Sequence, residues 1–193
     1  MQVIVRFFLR AKHWKVFLLL FGIGFLGDVT AITSSLVPTR SPLDLWESGF
    51  LITAAVTVLF MFCFLFWFWA MGTFLDSILQ PGQRLGMRIF RLALIYPAVY
   101  LTIFMAFFLS LSVNPWLFAV IFPLHVLAMS SMFYLLYFVS KSLVLAEKGK
   151  ASSFYDYAGP FFLLWFFPIG IWFTQPRINR LYAERMNAET VEL

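Results

Sequence analysis

Two ionisable side chains, Asp28 and His125, stand inside stretches that are otherwise apolar. A carboxylate and an imidazole held at similar depth in a bilayer are the raw material of a proton relay or of a pH-sensitive contact. At about 1.5 Å of rise per helical residue, Asp28 lies about 21 Å along the first apolar run from Trp14. On the same scale His125 lies about 13 Å along the fourth run from Trp116. A plainer reading stands beside each. Asp28 could sit with Thr30 at the far interface, and His125 could be a neutral ring bonded to a carbonyl freed by Pro123, to Tyr96 or to Tyr100. The relay requires that their two helices touch.

The residues just before Asp28, GIGFLG at 22–27, have the spacing of a dinucleotide-binding G-x-G-x-x-G. That motif works only between a strand and a helix of a soluble βαβ unit, and the surroundings here predict neither. Gly24, Gly27, Ala31 and Ser35 instead recur on one helical face, a small-residue seam along which a second helix can approach closely. No HExxH, GxSxG, P-loop or paired-cysteine pattern occurs in the chain. The single Cys63, within LFMFCFLFWFW, reads as a small buried hydrophobe. The sequence therefore predicts no catalytic residue, no metal ligand and no cofactor, and the chain reads as not an enzyme.

The elements that must position these residues are dictated by composition. With 62% hydrophobic and only 12% charged residues, the chain lies outside the soluble range, where about a quarter of residues are charged. It is a single integral membrane domain over residues 1–193. Four spans are expected, over about residues 14–37, 50–75, 92–111 and 116–140, each long enough as a helix for a hydrocarbon core of about 30 Å. They are helices because lipid offers backbone groups no partner, so the expected fold is an all-α membrane protein. Pro97 and Pro123 are read as kinks. Before the first span, Arg6, Arg10 and His13 share one face of an expected interfacial helix. A basic start followed by 16–27 and Val29-Thr30-Ala31 loosely resembles a cleavable leader, but the start is long and Asp28 interrupts it.

The net charge of +5 does not predict a nucleic-acid partner, because the basic residues flank apolar runs instead of forming a stripe. They orient the chain. Arg6, Arg10, Lys12 and Lys15 precede span 1; Arg84, Arg88 and Arg91 lie between spans 2 and 3; Lys141, Lys148 and Lys150 follow span 4. By the positive-inside rule these ends, and the N-terminus, face the cytoplasm.

One apolar stretch remains, FFLLWFFPIGIWF at 161–173, framed by Asp156 and by Gln175, Arg177 and Asn179. If it crossed, it would export Arg177, Arg180 and Arg185 and make a five-span protein. Its length of about 20 Å as helix falls short of the core. It is therefore expected to be re-entrant or interfacial, with Pro168 and Gly170 available for the turn. Thirteen of the fourteen Lys and Arg residues then share the cytoplasmic side. Asp156 and Arg177 would close the base of this element as an ion pair.

The tail DYAGPFFLLWFFPIGIWFTQPRIN at 156–179, together with HWKVFLLLFG at 13–22, resembles a group of small uncharacterised bacterial multi-pass inner-membrane proteins. The resemblance implies a location but no activity. The leading expectation is a non-enzymatic scaffold or partner-binding subunit of the cytoplasmic membrane, in contact with lipid and with a membrane-protein partner or a second copy. The alternative is a small, proton-coupled transporter or channel using Asp28 and His125.

Overall fold

The computed structural model describes residues 2–36, 42–108, 115–150 and 152–191. Among them the chain is all-α, with seven α-helices and no strand. α1 (Gln2–Arg10) is amphipathic, as a helix lying in an interface should be. It breaks at Ala11 and Lys12 into α2 (His13–Leu36). α3 (Pro42–Ile78), α4 (Met87–Phe108) and α5 (Pro115–Lys148) follow, then α6 (Phe154–Trp165) and α7 (Phe167–Val191).

Four helices are long and apolar enough to cross a membrane, over His13–Thr30, Gly49–Ile78, Met87–Ala106 and Trp116–Lys148. Pro97 and Pro123 lie inside continuous helices. The connections 37–41 and 109–114, which include Arg40, lie outside the described residues.

α3 is the central element. It packs against α2 on one flank and against α4 and α5 on the other, and α1 crosses it near one end. The fully buried side chains Trp67, Phe68, Met71 and Leu75 of α3 meet Phe90 of α4 and Phe138 of α5, whose rings stack at 4.2 Å. Gly72 makes this possible, since a Cβ there would overlap the Phe90 ring. Burial concentrates in the halves of the spans that carry the basic ends. At the other end Phe25, Leu26, Leu51, Trp116, Phe118 and Phe122 are exposed apolar surface, as lipid-facing side chains are.

Residues 161–173 do not form one run of helix. The chain breaks at Phe166 (φ −88°, ψ 58°), and α6 and α7 fold back on each other as a hairpin. The turn therefore comes two residues before Pro168. Pro168 itself falls in the first turn of α7, where its missing N–H costs nothing. Gly170 accepts the tight return: its N–H donates to the Phe166 carbonyl at 2.9 Å, and a Cβ on it would overlap the Leu163 carbonyl. The twelve residues of α6 rise about 18 Å, too little to cross. The hairpin is wedged between the two flanks. Trp165 packs on Phe133 of α5 at 4.5 Å, and Phe167 packs on Phe60 and Phe64 of α3 at 5.6 and 5.5 Å. Its tip thus reaches the middle of α3 and returns, so among the described residues there are four candidate spans and a helical hairpin beside them.

Candidate functional site

Two polar regions organise the molecule, one built by the hairpin and one on the open flank of α2. The first begins with Gln175, which is completely buried on α7. Its side-chain Nε2 donates to the carbonyls of Phe8 (2.6 Å) and Ala11 (3.1 Å), and its Oε1 accepts from the Trp67 indole N–H at 2.9 Å. Asn179, one turn further on, donates to Ala11 O at 3.0 Å, and its Oδ1 lies 2.9 Å from Gln175 Nε2, whose two hydrogens serve the three oxygens around it. Phe8 O near the end of α1 and Ala11 O in the break after it lie where helical partners run out. The two amides of α7 supply partners there, so the helix near the C-terminus caps the helix near the N-terminus. Arg10 over the Tyr182 ring (6.0 Å), with Tyr182 edge-on to Phe74, extends the same joint.

Ion pairs close the base of the hairpin, with partners other than those expected. The structure does not pair Asp156 with Arg177. Arg177 instead makes a two-pronged bond to Glu147, through Nε at 2.8 Å and through Nη2, and Arg180 adds a contact at 3.3 Å. Asp156 is held by Lys148. Neighbouring residues at the end of α5 thus take one arm each, because α5 runs eight residues beyond the expected end of span 4 and brings Glu147 and Lys148 between the arms.

Asp156 also accepts from the Ser153 N–H at 2.7 Å and the Ser153 hydroxyl at 2.9 Å, which starts α6. The Lys148 ammonium first, and these two Ser153 donors next, hold its carboxyl down to about 2. A carboxyl depressed from 3.8 stabilises the docked hairpin fully above about pH 4, and that contribution is lost as the pH falls toward about 2. The thermal midpoint of the wild type is therefore expected to fall more steeply between pH 4 and 2 than that of Asp156→Asn. Parallel curves would refute the coupling.

The sequence drew attention to Gln175 and Asn179 only as the polar edge of an apolar run. Their i, i+4 spacing directly after that run was the available signal, since it puts two amides on one face. Nothing in the sequence pointed to Trp67 as the partner of Gln175, or to Glu147 as the partner of Arg177.

The second region contains Asp28, which lines a cleft of about 300 Å³ between α2 and α3, floored by Phe167 at the hairpin tip. Among the described residues no hydrogen bond or ion pair reaches Asp28. In particular it does not meet His125. α2 packs on α3 and α7, whereas α5 packs on α4, α6 and α3. His125 Nδ1 lies 3.2 Å from the Tyr100 hydroxyl, and Tyr96 donates to the Leu124 carbonyl at 3.0 Å. The expected polar pair is thus separated by the central helix.

Of the small-residue seam, Gly27 faces Val56 so closely that a Cβ would overlap it, while a Cβ on Gly24 would meet open space. The side chains of Ala31 and Ser35 lie outside the described residues. Among the described residues no group of three metal-ligating side chains occurs. No family model, no curated protein and no solved structure matches the chain. The comparisons thus identify no family, and the chain is a multi-pass helical membrane protein by the length and composition of its candidate spans.

Proposed function

We propose that the protein is a non-enzymatic subunit of the cytoplasmic membrane, a scaffold that holds a membrane partner or a second copy of itself. The observation that carries this reading is the filled interior. Where a channel would place water and polar groups, α3 puts Trp67, Phe68, Met71 and Leu75, all fully buried. Among the described residues only short turns and the polar end of α7 are left to meet soluble ligands, whereas the exposed apolar helix surfaces are large. The transport reading needs a relay between Asp28 and His125, and their helices α2 and α5 lack extensive contact, which favours the scaffold reading.

The orientation has both termini in the cytoplasm. Gln83 Nε2 bonds the Gly149 carbonyl at 3.1 Å, joining the α3–α4 turn to the α5–α6 turn, and Gln175 joins α1 to α7. The basic flanks therefore gather at one end of the molecule, the arrangement the positive-inside rule assigns to the cytoplasm. With Cys63 replaced, a cysteine at Asn187 is expected to resist a membrane-impermeant thiol reagent in intact cells and to react after lysis. The protein is expected to copurify in mild detergent with a stoichiometric partner or as an oligomer. A monodisperse monomer that conducts ions in liposomes would overturn the scaffold reading.

A further inference from the structure

We infer that the Asp28 cleft binds amphiphilic organic cations that reach it from the surrounding lipid. The inference does not rest on the scaffold reading, since it concerns the outer flank of α2 and α3 and requires no partner protein. The cleft is apolar apart from one carboxylate and two hydroxyls. Phe21 and Phe25 of α2, Phe60 of α3 and Phe167 of the hairpin tip line the same cleft as Asp28, whose own side chain is exposed. Phe21 and Phe25 are themselves about half exposed.

A carboxylate within a span is costly without a cation, and among the described residues no basic side chain is paired with it. Among the described residues nothing donates to Asp28, and the nearest basic residue along its own helix, Lys15, is about 20 Å away by helical rise. The neighbouring Thr53 hydroxyl is committed to the Gly49 carbonyl at 2.9 Å. What fits is a charge brought by a ligand. An onium group would lie against Asp28 with its apolar body against the aromatic rings, which attract cations through their faces. Three features keep the space open. Gly27 lets α2 and α3 meet along one line by admitting Val56, Gly24 leaves the neighbouring surface without a side chain, and Phe167 closes the floor. A volume of about 300 Å³ is at the lower end of ordinary ligand sites.

The test uses the full-length protein in nanodiscs of neutral lipid with radiolabelled tetraphenylphosphonium as probe, and empty nanodiscs to subtract partition. Saturable binding is expected, with triphenylphosphine oxide, which has aromatic rings but no net charge, failing to compete. Asp28→Asn, nearly isosteric, is expected to weaken binding at least tenfold. Gly24→Leu is expected to do the same by filling the cleft, with an unchanged thermal midpoint because its first side-chain atom meets open space. Absence of saturable binding would overturn the inference. So would competition by the uncharged analogue, or wild-type affinity in either variant.

Discussion

Replacing Gln175 with leucine is expected to destabilise the protein by about 3–5 kcal/mol and to free α1 from the bundle. The size follows from what the substitution strands. The Trp67 indole N–H and the Phe8 carbonyl each lose the partner that Gln175 gives them, and the Ala11 carbonyl keeps only Asn179. A buried polar group left unpaired costs about 1–3 kcal/mol. Leucine fills similar volume, so the loss reads on hydrogen bonds and not on packing. Two companion variants divide the effect. Asn179→Ala should cost about 1 kcal/mol, because Ala11 O retains Gln175. Gln175→Glu keeps an acceptor for Trp67 but has no donor for the α1 carbonyls, so it should release α1 as leucine does. Denaturation in bicelles gives the energies, and thiol labelling of a cysteine at Leu9, buried in the wild type, reports release. A Gln175→Leu protein within about 0.5 kcal/mol of wild type would show that the amide joint is incidental.

The second large effect is expected at the hairpin tip, where Gly170→Ala should destabilise by about 2–3 kcal/mol through overpacking. In most helices glycine to alanine stabilises by about 0.5–1 kcal/mol, because alanine has less backbone freedom to lose. The sign reverses at Gly170 because the new methyl group would overlap the Leu163 carbonyl, backbone that cannot swing aside. Gly22, within α2, is the control. A Cβ there meets nothing within 4 Å, so Gly22→Ala should show the ordinary small gain. Opposite signs for the two glycines would place the cause in the hairpin contact. Equal shifts would mean that α6 and α7 do not fold back as described.

Much of this architecture was legible in the residues because the bilayer narrows the choices. Long apolar runs must be helices in lipid, and their number and approximate limits follow from length alone. Beyond the expected end of span 4 at about residue 140, α5 keeps helical geometry for eight more residues, through Lys148. That extension decides which ion pairs form. Asp156 and Arg177 stand at one base, but each reaches α5 and not the other. The separation of Asp28 and His125 has a similar origin. Depth along a helix can be counted from sequence, but which helices are neighbours cannot, and α3 lies between them.

The sequence by itself determined the class, an all-α chain with four candidate membrane spans, and it marked 161–173 as short for a span, because hydropathy and length are properties of residues taken in order. Only the tertiary structure decided the partners. The break at Phe166, the Gly170 contact with Leu163 and the capping of α1 by Gln175 all join residues distant in sequence, or depend on the space one backbone leaves another. A glutamine in a list of residues is one polar side chain among others. Fully buried against an indole and the open end of a helix, it becomes the joint that ties the first helix to the last.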